Sequence, residues 1–181
     1  FGGAWQKSGT NFVYTSNVHS ATSAPTYIHS VSGGTARQVG SDEGLNRVFA
    51  VHTEGDAVLV GRLVGRGDNN VYLIDVATNE ETLLTPHDGP GTFFAQFGHK
   101  DGEIYLGHNQ DRDRIAFGKL EKNGAILTLV HRDDAELEAF RVVPRSDMVA
   151  LLWNNHGRSE LELYDTRTNQ RTPVHLPVEV V

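Results

Sequence analysis

The residues best suited to chemistry in this sequence are charged and polar side chains grouped in short segments. The segments VGRGDNN, HNQDRDR and NNHGRSE contain the candidates Arg66, Asp111, Arg112, Asp113, Arg114, Asn154, His156 and Arg158. Paired charges of this kind can orient a peptide terminus or dock a second domain. Polar loops that are merely solvated would have the same composition. These residues are therefore candidates for a binding surface rather than for a catalytic centre.

Catalytic and metal-binding patterns do not occur within single segments of the sequence. The nucleophile of an α/β-hydrolase needs Gly-x-Ser-x-Gly, and the segment GSDEG at 40–44 has the wrong spacing. GRLVGRG at 61–67 lacks the Lys-Ser/Thr pair of a phosphate-binding loop, so we expect a loop between two strands. The nine histidines show no metal-ligand spacing, and cysteine is absent. We therefore expect no catalytic residue, metal or cofactor in this chain.

The candidate segments must be positioned by short strands, because the sequence repeats a hairpin pattern. VYLIDVATNEETLLT, 71–85, alternates apolar residues before a polar turn, and SELELYDTRTNQRTPVHL repeats that order about ninety residues later. Gly-Gly and Asn-Gly pairs mark two further hairpins, since both positions reach positive φ with little strain. The four turns recur every 44 to 46 residues, centred at Gly33, Asn79, Asn123 and Asn169.

A second pair of strands precedes each hairpin, which gives four units of four strands. These pairs are WQKSGTNFVYTS, VHTEGDAVLVGRL, FGHKDGEIYLGH and VVPRSDMVALLW. Short strands in a fixed repeat are typical of a β-propeller, in which each repeat is one antiparallel blade. We predict an all-β propeller with blades at about 1–44, 45–91, 92–138 and 139–177, and with 178–181 starting a further blade. A β-sandwich is the alternative, although sandwiches need no fixed period.

Loop lengths distinguish the two faces of the predicted blades. The turns between the first and second strands and between the third and fourth strands are tight. The second-to-third connections and the crossings between blades are predicted to be long and polar, and DDAELEAF at 133–140 is predicted as a turn before the fourth blade. Because loops carry binding residues more often than strands do, the long-loop face is the predicted working face. Histidines of different blades could still meet around a central channel.

Composition excludes several classes of partner. The net charge is −7, with 23 acidic and 16 basic residues, which disfavours a nucleic-acid surface and an anionic membrane. No apolar run approaches the roughly 18 to 20 residues that a membrane span needs, and the first residues do not read as a signal peptide. The lack of cysteine is compatible with a reducing compartment, and we expect a cytoplasmic location. A start at Phe1 suggests a processed or truncated product.

Three stretches resemble the N-terminal propeller of serine peptidases of the prolyl oligopeptidase family, which includes acylaminoacyl peptidases. They are TPHDGPGTFFAQF, DGEIYLGHNQDRDRIAFGKLEKNG and ELEAFRVVPRSDMVALLWNNHGRSELELYDTRTNQ. The family commonly has Ser-Pro-Asp-Gly at the first turn of a blade, where this chain has HTEG, GHKD and VPRS. The resemblance therefore rests on the blade register and on the junction TPHDGPG at 85–91, and it covers roughly Arg47 to Val178. TolB-type propellers have the same repeat.

The resemblance implies a larger protein. Family propellers have about seven blades followed by an α/β-hydrolase domain, so the chain would be four blades of a seven-bladed ring. An open arc of four blades would expose two sheet edges, which invite pairing. The implied partners are the remaining blades, the hydrolase domain and a peptide substrate. Glu138, Asn154 and Arg158 are the family-like positions among the candidates, and Glu138 joins the candidate set on this ground.

Three functions remain open from the sequence. The first is a non-catalytic propeller segment that gates the access of short or acylated peptides to a serine peptidase domain. The second is a TolB-like propeller that binds another protein. The third is another propeller enzyme, such as a glycoside hydrolase, which would need two carboxylates converging near the axis. The innermost-strand candidates are mostly apolar, which disfavours this third function; they are Phe49, Val51, Phe94, Phe97 and Val142.

Overall fold

The structure, a computed structural model, describes residues 2–175. This part of the chain contains sixteen β-strands and no helix, and hence no helix that could cross a membrane. The strands are β1 (Gly3–Trp5), β2 (Asn11–Thr15), β3 (Thr26–Ser30), β4 (Arg37–Val39), β5 (Asn46–Val51), β6 (Ala57–Gly65), β7 (Asp68–Asp75), β8 (Glu81–Leu83), β9 (Phe93–Phe97), β10 (Ile104–His108), β11 (Ala116–Leu120), β12 (Ile126–Val130), β13 (Glu136–Val142), β14 (Met148–Asn155), β15 (Arg158–Asp165) and β16 (Gln170–Val174).

Every four consecutive strands form one sheet, in which the strand order follows the chain. The sheets are β1–β4, β5–β8, β9–β12 and β13–β16. The prediction of four four-stranded antiparallel sheets is confirmed. The chain also divides into two compact units, residues 1–95 and 96–181, and the boundary falls inside β9. Residues 178–181, which were predicted to start a further blade, lie outside the described residues.

The core of the first unit is built from β-branched side chains. One buried cluster contains Val13, Val39, Val48, Val58, Val60 and Ile74. Val48 lies opposite Val60 across β5 and β6, and Val58 lies opposite Ile74 across β6 and β7. Such residues fit a pleated surface, and directly opposed pairs stabilise it. The alternation seen in the sequence therefore places these side chains on shared faces.

The core of the second unit is aromatic. The ring of Phe117 in β11 lies 5.4 Å from that of Tyr105, 5.1 Å from that of Phe140 and 5.8 Å from that of Tyr164. Trp153 of β14 is fully buried. Large rings bury much apolar area and pack well in tilted or edge-on pairs. This core gives a rigid base to the loops at the ends of β10 to β15.

The two most similar hairpins use the same turn chemistry. The Asp75 carboxylate accepts hydrogen bonds from the backbone N–H groups of Ala77 and Thr78, and Asn79 has a φ of 66°. The Asp165 carboxylate accepts from the N–H groups two and three residues further on, and Asn169 has a φ of 60°. Asn tolerates this left-handed conformation, and Asp closes such turns locally. The repeat D-x-x-T-N, with its polar turn, therefore encodes the hairpin directly.

Two connections that the sequence predicted as long loops are tight turns. VGRGDNN lies mostly inside strands, because β6 continues to Gly65 and β7 starts at Asp68. NNHGRSE is likewise a hairpin, in which β14 and β15 pair as far as Asn155 and Arg158. GRLVGRG is therefore chiefly the end of β6 rather than a loop. DDAELEAF is also corrected, since Glu136 already begins β13. Polar composition misled the prediction because exposed strand ends are polar too.

A histidine anchors the TPHDGPG junction of the first unit. His87 Nδ1 lies 2.7 Å from the Thr85 carbonyl oxygen, and Nε2 lies 3.0 Å from an Asp68 carboxylate oxygen. Burial alone would lower the pKa of His87. The pKa is raised instead, because the Thr85 carbonyl and the Asp68 carboxylate accept hydrogen bonds from the ring and stabilise its charged form. The ring also packs 4.8 Å from that of Phe93. The junction is thus tied to the start of β7.

Candidate ligand-binding site

The structure separates the sequence candidates into different places. Arg66 is exposed in the β6–β7 turn of the first unit, and Glu138 is exposed on β13 of the second. Three others occur at the β14–β15 hairpin, where His156 has a φ of 50° and the Asn154 side chain accepts a hydrogen bond from the Gly157 N–H. Arg158 begins β15. None of these five lines the cavity described next.

A cavity of about 280 Å³ in the second unit brings three candidates together. Arg112, Asp113 and Arg114 come from the β10–β11 loop, and the β12–β13 connection supplies the facing residues. We call this the charged cavity, lined by Arg112, Asp113, Arg114, His131, Arg132 and Asp133. Asp111 precedes these residues in an exposed turn with a φ of 59°. The sequence placed Asp133 in the predicted turn DDAELEAF but gave no signal that singled out residues 131–133.

Arg132 lines the charged cavity, and its guanidinium is held in place by neighbouring side chains. Its guanidinium donates to both carboxylate oxygens of Asp134, at 3.0 and 2.7 Å, and to Glu160 at 2.6 Å. The group also lies 5.7 Å above the ring of buried Trp153. The hydrogen bonds from Arg132 hold the pKa of Asp134 at about 2. A guanidinium held by two carboxylates and an aromatic face is committed to the fold rather than to a ligand.

Arg112 is held from inside by a buried polar chain. Its Nη2 donates to the Thr128 hydroxyl at 3.1 Å, and that oxygen lies 3.2 Å from Nε2 of His108. His108 is 2% exposed, and its Nδ1 has no hydrogen-bond partner among the described residues. Burial lowers the pKa of His108 to about 4, and the charge of Arg112 acts in the same direction. A neutral imidazole therefore supports the arginine.

The other lining charges are available to a ligand. Within residues 2–175 the side chains of Asp113, Arg114 and Asp133 form no hydrogen bond or ion pair. Arg114 is exposed but lies near enough to Asp134 to contribute to lowering the pKa of that carboxyl. No group of three or more His, Cys, Asp or Glu in the described chain is placed to hold a metal ion. The cavity thus combines two oriented arginines with free groups of both signs.

Alanine at Gly118 is expected to destabilise the fold by about 2 kcal/mol, because β11 has no room for a side chain there. An added Cβ would lie 2.8 Å from Nε2 of His108 and 3.0 Å from the carbonyl oxygen of Leu127. His108, which lies behind Thr128 and Arg112 in the hydrogen-bonded chain of side chains, would have to move. Urea unfolding of Gly118→Ala checks this, with Gly65→Ala as the control, since Gly65 faces open space. Equal stability of the two variants would refute the close contact.

No protein-family model matches the sequence, and no curated protein matches it. Solved structures do match it. A protein described as TolB from Agrobacterium tumefaciens superposes with a TM-score of 0.78 at 14% identity, over 94% of this chain and 63% of its own. Prolyl oligopeptidase B from Galerina marginata, bound to a 35mer substrate, gives a TM-score of 0.78 at 13% identity, over 96% and 26%. A puromycin hydrolase gives 0.80 at 9% identity, over 99% and 31%.

The four repeated sheets and these neighbours lead to one conclusion. The chain has a β-propeller fold. This propeller spans less than two thirds of each of these three proteins. Its neighbours include both TolB propellers and propeller regions of peptidases, at sequence identities that reveal the fold alone. The number of blades in a closed ring stays a prediction.

Proposed function

We propose that this propeller is a non-catalytic segment of a serine peptidase and gates the access of short or acylated peptides to an α/β-hydrolase domain. The observation that carries the proposal is the charged cavity, where the oriented Arg112, the exposed Arg114 and two carboxylates that make no hydrogen bond or ion pair within the described chain can meet the ends of a peptide. A rigid sheet scaffold sets access by shape, and charges at its loops can guide a ligand before chemistry occurs elsewhere.

Two further observations support the proposal. The sequence has no Gly-x-Ser-x-Gly, so the hydrolytic step would belong to another domain. Prolyl oligopeptidase B, a structural neighbour that is bound to a 35mer substrate, matches this chain over 26% of the length of the oligopeptidase. In this proposal the chain contributes selection of the peptide, while the nucleophile, its base and the oxyanion hole lie in the hydrolase domain.

Fluorophosphonate labelling is expected to separate the chain from its native full-length product. These reagents react with an activated serine, so the native product should be labelled and should hydrolyse short free or acylated peptides. The purified 181-residue chain should show neither label nor turnover. A native product that resists the reagent and leaves such peptides intact would contradict the proposal, as would labelling of the chain alone.

A TolB-like role, in which the propeller binds another protein, is the second candidate. The observation in its favour is the match to the TolB protein of Agrobacterium tumefaciens, in which this chain covers 63% of the neighbour. The same labelling distinguishes the two roles. A native product without an activated serine, which co-purifies with a stoichiometric protein partner, would favour this second role.

A further inference from the structure

We propose that the charged cavity binds a small zwitterion, namely a free dipeptide. Its carboxylate would lie against Arg112 and Arg114, and its ammonium group would lie against Asp113 and Asp133. The inference rests on the proposed function for the source of such a ligand, because a peptidase brings short peptides to its propeller. The argument for binding itself comes from the charges and the size of the cavity and from the hydrogen bonds that hold Arg112.

The ligand needs a positive and a negative group to match the lining side chains that are not already paired within residues 2–175. Arg132 is already taken by Asp134 and Glu160. Arg114 has all five N–H donors free of hydrogen bonds within residues 2–175, and Arg112 uses only its Nε and Nη2 groups. A simple anion would meet two carboxylates there, and a simple cation would meet the arginines. A ligand with an ammonium and a carboxylate satisfies both sets.

The size of the cavity limits the ligand. At about 280 Å³ it is slightly smaller than typical ligand pockets, which span roughly 300 to 1,000 Å³. Two residues with small side chains suit such a volume, whereas a long peptide would have to leave the cavity. A short free peptide is therefore favoured over an internal segment of a chain.

Two arginines of the charged cavity are held in place by other residues before a ligand arrives. Thr128 and the Gln110 carbonyl hold Arg112, and buried His108 stands behind Thr128. Arg132 is fixed by two carboxylates and by Trp153. Groups that are already oriented lose less conformational freedom on binding, so more of the attraction appears as affinity. Asp113, Arg114 and Asp133, which make no hydrogen bond within the described chain, have to order around both ends of the ligand.

Three related probes test the assignment on the 181-residue chain by isothermal titration or NMR shift titration. They are Ala-Ala, its N-acetylated form and its C-terminal amide. We expect Ala-Ala to bind at least about 10-fold more tightly than either blocked form, since each block removes one charge; 10-fold is about 1.4 kcal/mol. Equal affinity for the three probes, or no binding of Ala-Ala at tens of millimolar, would overturn the inference.

Paired variants separate the two ends of the ligand. Arg114→Ala should weaken Ala-Ala and its N-acetylated form but not the amide, whereas Asp113→Asn should weaken Ala-Ala and the amide only. Both residues are exposed and make no hydrogen bond in the described chain, so the variants should stay folded. Arg66→Ala and Asp42→Asn make the same charge changes at exposed sites in the first unit and should leave the affinity unchanged.

The outcomes for this inference and for the proposed function are distinct. If the control variants weaken Ala-Ala as much as the cavity variants do, binding depends on overall charge and the cavity assignment fails. Binding by the chain together with a native product that resists fluorophosphonate would keep the cavity and reject the peptidase role. A labelled native product whose isolated propeller binds none of the probes would reject the cavity alone.

Discussion

Replacing Trp153 with alanine is expected to lower the free energy of unfolding by about 4 kcal/mol, the largest effect we expect of a single substitution. The side chain is fully buried in β14. Its indole N–H donates to Glu162 at 3.2 Å, and its ring lies beneath the guanidinium of Arg132. Alanine would leave a large cavity and would remove one hydrogen bond to the buried carboxylate of Glu162. Guanidinium chloride unfolding followed by circular dichroism measures the loss.

Two control variants separate the causes of that loss. Trp5→Ala removes the other tryptophan, which is 60% exposed, and should cost less than about 1 kcal/mol. Trp153→Phe keeps a ring but removes the donor to Glu162, so we expect a loss of about 1 to 2 kcal/mol. If Trp153→Ala were no less stable than Trp5→Ala, the aromatic core of the second unit would not have the role assigned to it.

Acidification from pH 7 to pH 4 is expected to cost about 3 kcal/mol of stability through His108 alone. Burial, aided by the charge of Arg112, lowers the pKa of His108 to about 4 in the folded chain, compared with about 6.5 in an unfolded one. Between these values the unfolded state binds the proton and the folded state does not. Stability therefore falls as the pH drops through this window, and it is fully present above it.

The difference between the wild type and His108→Gln isolates this contribution. Glutamine offers a neutral polar group near the position of Nε2, so the variant should lose the part of the pH slope that lies between about 6.5 and 4. His19→Gln alters an exposed histidine of the β2–β3 connection and serves as the control. Parallel stability curves for the wild type and His108→Gln across this range would show that His108 is protonated as readily in the fold as outside it.

The blades could be predicted from the sequence because their determinants are local. Asp75 and Asp165 close their turns on the next few backbone N–H groups, and Asn79 and Asn169 adopt positive φ in the same hairpins. Apolar alternation in β14 places Val149, Leu151 and Trp153 on one buried face. These interactions span a few residues, so the local sequence is nearly sufficient to predict the hairpins.

The lengths of β6, β7, β14 and β15 could not be predicted in the same way. The end of β6 pairs with β7 across a register shift, with Leu63 opposite Asn69 and Gly65 opposite Asp68. Asn154 pairs with Ser159 in the β14–β15 hairpin. Polar residues at these positions are typical of loops and of exposed strand ends alike. Whether such a residue lies in a loop or in a strand depends on the partner strand, because the backbone groups of that strand form the hydrogen bonds of the pair.

By itself, the sequence determined the all-β repeat, the four hairpin turns near Gly33, Asn79, Asn123 and Asn169, and the charged character of the β10–β11 loop. Only the tertiary structure decided that residues 112–114 face residues 131–133, and that Arg132 is committed while Arg114 makes no hydrogen bond within residues 2–175. His108 illustrates the reason: in the sequence it begins a polar segment, whereas in the fold it is buried behind Thr128 and Arg112. Burial and partnership set the charge state and freedom of a side chain, and both depend on residues far apart in the chain.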